Sequence, residues 1–190
     1  MKFRLLVLVP ALLLAPAAAE ATVVRALDVE ELTLRAEAVV RGVAVEASAE
    51  WAAGGRQIHT VTRVRVSSWM KGAADAGTLE VRTPGGTVGD LTQRVSGAPS
   101  LRVGEELVLF LRRLPGKARR FTVVGFSQGK FSVVREAGRT LVVREAGELG
   151  LLEADGQLRP APRLGPLPLE RLVDQVRKAL PVGPRGEAAP

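Results

Sequence analysis

The 190-residue sequence has no cysteine, no tyrosine and no asparagine, and its only histidine is His59. Without cysteine the chain can form no disulfide and offers no thiolate as nucleophile or metal ligand. One histidine falls short of the three protein ligands, with His or Cys prominent, that catalytic zinc normally takes. The alternating carboxylates of a calcium loop are missing too. No metal or cofactor is therefore expected. Aromatics make up 4% of the chain, and after residue 21 only Trp51, Trp69 and four phenylalanines remain, a poor supply for stacking single-stranded nucleic acid.

Long apolar runs are also scarce, with one exception at the start. Lys2 and Arg4 precede an uncharged stretch from Leu5 to Ala15, and the small residues Pro16 to Ala19 follow it. Positive charge, apolar run and small-residue gate in that order form a secretory signal peptide over residues 1–21. The run is too short to span a bilayer, which takes roughly 20 apolar residues. The chain is therefore expected to be exported, periplasmic or secreted, and free of stable membrane insertion after cleavage. The mature remainder is the size of one domain. Its net charge falls from +7 to +6 when Lys2, Arg4 and Glu20 leave. Arginine far outnumbers lysine while Ala, Gly and Pro abound, so the basic balance reads as GC-rich coding more than as a polyanion site.

The hydrophobic period changes twice along the mature chain. Asp28 followed by Glu31 is a capping box, predicting a short helix with Val29, Leu32 and Ala36 on its buried stripe. From Ala38 the pattern is that of strands. Ala38–Ala47, with a bulge or bend at Gly42, pairs as a hairpin with the alternating run Ile58–Ser67. Thr78–Thr83 is a third strand. Leu107–Arg112, apolar on both faces, is a central one, and 121–126, 130–135 and 140–145 follow at close spacing. Residues 84–100 read as a long loop, with a short strand near Leu91–Val95. This pattern predicts a mainly β domain over 22–150, a Pro-rich linker over 151–168, an amphipathic helix over 169–180 and a disordered tail over 181–190.

Few residues carry chemistry. Gly125-Phe126-Ser127-Gln128-Gly129 fits G-x-S-x-G, but a hydrolase elbow leads into a helix and precedes its histidine. Here a strand follows and His59 lies upstream, so the pentapeptide reads as a turn and a serine hydrolase at Ser127 is the minor alternative. Glu105-Glu106 reads as a solvated turn whose side chains point to opposite faces. Two surfaces stand out. Pro84, Gly85, Gly86, Asp90, Gln93 and Arg94 belong to an irregular loop of the kind that carries binding function on β scaffolds. Arg112, Arg113, Lys117, Arg119 and Arg120 place five cations on one strand–turn–strand connection, a candidate contact for phosphates or sulfates.

The segments Glu37–Val45, Thr60–Val66 closing in Trp69-Met70-Lys71-Gly72, Leu79–Pro84 and Leu101–Phe110 together resemble the netrin-like module shared with tissue inhibitors of metalloproteases. The resemblance covers residues 36 to 112. It implies an OB-like small barrel of five to six strands, here with an extra hairpin, a short N-terminal helix and a C-terminal amphipathic helix. It also implies an extracytoplasmic binding role. The inhibitors of that family chelate the zinc of their targets through an N-terminal cysteine, which this chain lacks. The expected function is an exported, non-enzymatic protein-interaction module with a protein partner outside the cytoplasm, a secreted protease being one candidate. The alternatives are a cell-envelope polyanion binder and a protease inhibitor acting by loop insertion.

Overall fold

Leu107 to Leu111 are five consecutive apolar residues, and all five are fully buried. A strand can bury both faces only between two cores. The computed structural model supplies both. It describes residues 22–72, 77–116, 119–145, 149–152, 156–160 and 164–180; the expected signal peptide and tail lie outside them. In chain order the elements are β1 (Thr22–Arg25), α1 (Val29–Arg35), β2 (Ala38–Trp51), β3 (Ile58–Lys71), β4 (Thr78–Pro84), β5 (Gly86–Val88), β6 (Leu91–Gln93) and β7 (Glu106–Arg113). Then come β8 (Arg120–Val123), β9 (Lys130–Glu136), β10 (Arg139–Arg144), β11 (Leu149–Leu152), β12 (Leu158–Pro160), β13 (Leu164–Pro168) and α2 (Leu169–Ala179).

The main sheet runs β13-β10-β9-β7-β2-β3-β4-β8, and β8 returns to pair with β7. The strands β2, β3, β4, β8 and β7 thereby close a ring, antiparallel throughout except where β8 meets β4 in parallel. One edge of β7 bonds to β2. Its other edge is shared, with β9 along Leu107–Leu109 and β8 along Leu111–Arg113. All five ring strands contribute to one buried cluster that includes Val40, Val64, Leu79, Leu109 and Phe121. On the opposite face of β7, Val108 and Phe110 join Val39, Phe131 and the helix residues Leu32, Leu172 and Val176 in a second. The Phe110 and Phe131 rings are 5.7 Å apart.

The capping box of α1 forms as the sequence predicts: the Glu31 N–H donates to Asp28 Oδ1 at 2.7 Å and the Asp28 N–H to Glu31 Oε2 at 3.3 Å. The apolar stripe of α2 docks, with Leu172 and Val176 buried in the outer core. Gly42 has the predicted role as well. The β2–β3 register shifts beside it, and a Cβ there would lie 2.5 Å from the Arg65 carbonyl oxygen and 2.8 Å from Val64.

Two expectations about the fold need correction. Residues 84–93 are not an irregular loop, since β5 and β6 form a hairpin. In the run 151–168, expected as a Pro-rich linker, the described residues 151–152, 158–160 and 164–168 are strands. Leu151 is buried, β12 pairs with β11, and β13 is the outermost strand of the main sheet. Pro166 and Pro168 are tolerated in β13 because an edge strand needs only half of its backbone donors. β1, a strand with no sequence signal, pairs in parallel with β11.

Gly42→Ala should lower stability by about 1–3 kcal/mol, because the added methyl meets a backbone carbonyl that cannot move without disturbing the ladder. Urea denaturation checks this: the midpoint should fall with an unchanged slope, and an unchanged midpoint would contradict the close packing of β2 on β3.

Candidate binding surfaces

The β5–β6 hairpin is fixed at its base. The Gln93 Oε1 accepts from the Ile58 N–H at 2.6 Å, the Gly85 N–H donates to the Ile58 carbonyl at 2.8 Å, and the Thr60 hydroxyl donates to the Gly85 carbonyl at 2.8 Å. Of the candidate loop residues, Gly85 is buried, Pro84, Gly86 and Gln93 are half-buried, and Asp90 and Arg94 are exposed. Gln93 is thus a structural acceptor. The exposed tip is Gly89-Asp90-Leu91, with Leu91 60% exposed.

The hairpin lies against the far end of β2 and β3, where a Cβ on Gly86 would touch Ala49, Ile58 and Thr60. Register places Ala49 opposite Thr60 and Trp51 opposite Ile58, so Trp51 extends the same face one step further. It is 43% exposed. β2 pairs with β7 only as far as Val43, while β3 pairs with it to Trp51. Among the described residues, no strand covers the other edge of β2 from Val45 to Trp51. The sequence showed that β2 is a strand but not that it outruns its neighbour.

The basic connection is largely neutralised within the fold. Arg120 lies 2.8 Å from Glu80 and 3.0 Å from Glu50, and these carboxylates hold its pKa above its ordinary value, with the Glu80 hydrogen bond the largest cause. Arg113 pairs with Glu37 at 3.8 Å and stacks over Phe121. Arg112 and Arg119 are exposed, and their side chains make no ion pair or hydrogen bond to a described residue. Lys117 lies outside the described residues.

The pentapeptide around Ser127 is a 3-10 turn leading into β9, as its flanking sequence predicts. Its glycines answer to packing: Gly125 has φ +68, and a Cβ on Gly129 would collide with the Val124 carbonyl oxygen. Ser127 is buried, and its backbone N–H donates to the Gly97 carbonyl at 3.1 Å. His59 Nδ1 accepts from Arg82 at 3.0 Å. Burial first, and then the Arg82 charge, hold its pKa below the ordinary 6.5. No cluster of three His, Cys, Asp or Glu suited to a metal occurs among the described residues.

Glu105-Glu106 is not the solvated turn the sequence suggested, as each side chain is only 16% exposed. Glu105 accepts from Ser132 at 2.6 Å and pairs with Lys130 at 2.9 Å, while Glu106 pairs with Arg41 at 2.6 Å and Arg135 at 2.7 Å. These partners are distant in sequence and only sheet pairing brings them together.

A cleft of about 560 Å³ opens beside β1, on a surface that has no sequence signature. Arg25, Arg35 and Arg112 stand along it, and its apolar wall includes Leu27, Pro99, Val124 and Phe126. Leu27 is clamped from both sides: its N–H donates to Gln128 Oε1 at 2.8 Å and its carbonyl accepts from buried Arg144 at 3.2 Å. Gln128 also donates to the Arg25 carbonyl at 3.0 Å. Desolvation pulls the Arg144 pKa below its ordinary value.

No protein-family model matches the chain, and no curated protein matches it.

Burial alone would raise the Glu105 carboxyl, but hydrogen bonds from Ser132, Lys130 and the Arg102 N–H outweigh it and hold the pKa below 4.5. For Glu106, burial is likewise outweighed, by Arg41 and Arg135. Depressed carboxylate pKa values contribute stability that is present above pH 4.5 and lost as pH falls through it toward the folded values. Glu105→Gln should therefore cost about 2 kcal/mol at pH 7 by leaving Lys130 uncompensated, and should flatten the decline in stability below pH 4.5. Denaturant midpoints across pH 3 to 7 check both parts.

Proposed function

We propose that the protein is an exported, non-enzymatic protein-interaction module on an OB-like, netrin-type barrel, and that it binds an extended segment of an extracytoplasmic partner along β2. Five strands closing on a filled interior are what a small barrel of this type requires, which supports the architectural part of the reading. The binding part rests on one observation: the seven residues Val45–Trp51 present a strand edge that no described strand covers. An uncovered edge is a template for strand addition, in which main-chain hydrogen bonds supply affinity and alternate side chains supply specificity. Exposed Trp51 and Leu91 lie at this end of the fold, and aromatic anchors dominate interface energetics.

A polyanion reading is less well supported, because two of the described arginines of the basic connection already hold carboxylates. Insertion of the Gly89-Asp90 tip into a protease would use the same end of the molecule.

Affinity capture from envelope and secreted fractions, read by mass spectrometry, tests this. Wild type should retain a discrete protein partner in moderate salt. An Ala47→Lys/Trp51→Glu variant, which puts charge on the edge and removes the anchor, should lose it at least tenfold. Shortening the 89–91 tip should abolish capture only if insertion is the mode, and a secreted protease as the partner would then make inhibition the activity. An undiminished catch with the edge variant, or a catch limited to salt-labile polyanions, would overturn the proposal.

A further inference from the structure

The cleft beside β1 differs chemically from the β2 edge, and we propose that it is a second site, binding a small amphipathic anion with one acidic head group on an apolar body. Three guanidiniums, Arg25, Arg35 and Arg112, stand along it. A single carboxylate, Glu31, answers the first two, at 2.7 Å and 3.8 Å. Arg112 has no such partner among the described residues. A guanidinium beside a desolvated wall suits carboxylate, sulfonate or phosphate, which it can grip with two parallel hydrogen bonds.

Behind the cations the surface is apolar. Leu27, Pro99 and Val124 are buried and Phe126 is half-buried. An apolar wall with a few placed polar groups, enclosing several hundred Å³, is the usual form of a small-ligand site. Phe126 reaches this wall from φ 58°, a left-handed conformation uncommon for an aromatic and concentrated at functional positions. The wall is also set before any ligand arrives, because Gln128 and Arg144 hold Leu27 from opposite sides, so little ordering cost opposes binding. A polyanion would need a row of uncommitted cations, whereas this cleft offers one beside two that share a carboxylate.

A pair of dyes with nearly the same apolar body separates head-group recognition from general hydrophobicity. With purified protein, 1-anilinonaphthalene-8-sulfonate should bind saturably at one per chain and be displaced by decanoate. Uncharged N-phenyl-1-naphthylamine should bind at least tenfold more weakly. Arg112→Ala should weaken the sulfonate dye about tenfold, the loss of one charge-assisted contact, and leave the neutral dye unchanged. Arg35→Ala should weaken it less, since Glu31 already engages that side chain, and both variants should keep the wild-type urea midpoint. Equal binding of the two dyes, several dye sites per chain, or full retention of sulfonate affinity in Arg112→Ala would overturn the proposal. So would co-sedimentation with phosphatidylglycerol vesicles without saturable binding of the monomeric anion, which would make the arginines a membrane contact.

Discussion

The structure depends on the burial of both faces of β7. Leu107, Leu109 and Leu111 project into the ring while Val108 and Phe110 project into the layer capped by α1 and α2. Full burial of each such side chain is worth about 1.5–3 kcal/mol, and the strand bonds to β2 along one edge and to β8 and β9 along the other. Ring and outer layer therefore share their most buried element, and neither can lose it without exposing the core of the other. Gly129 and the 3-10 turn follow from this constraint, since the chain must leave β8 and re-enter as β9 along the same edge of β7.

The charges follow from the same pairing. Glu105 and Glu106 stand at the entrance to β7, where neighbouring strands bring Lys130, Ser132, Arg41 and Arg135 to them. These contacts pin the register of the central strand at one end, while Arg113 against Glu37 and Arg120 against Glu80 and Glu50 tie down the other. Cations that look free along the sequence are in this way spent on the fold, and the surplus positive charge is a poor guide to a partner. Among the described residues, these pairings leave uncommitted the backbone edge of β2 and the Arg112 side of the cleft.

Much of the scaffold was legible because its signals are local. The Asp28–Glu31 box, the alternation from Ile58 to Val66, the unbroken apolar run of β7 and the Leu172–Val176 stripe each carry their structure within a few residues. The turn reading of the Ser127 pentapeptide came from its flanks in the same way. Other features depend on contacts distant in sequence. The proline-rich run past Gly156 has no strand signature, yet β13 forms because the outer edge of β10 is available to it. Residues 84–93 looked irregular because three-residue strands are too short to show alternation, and the hairpin takes its order from Ile58 and Thr60. Neither the cleft nor the free edge has a sequence signature, as each is defined by which elements meet and which stop short.

A rigid frame displaying the uncovered edge of β2 is the central claim, and residue-resolved amide hydrogen exchange of the unliganded protein tests it most directly. The amides of Leu107–Leu111 should exchange only through global unfolding, and so should those of Phe131 and Val133 in the outer layer. Along Val45–Trp51, amides directed toward β3 should be protected while those directed outward exchange orders of magnitude faster. Uniform protection through that segment would mean that the edge is already paired in solution, and easy opening of β9 apart from the ring would mean that β7 does not unite the two cores.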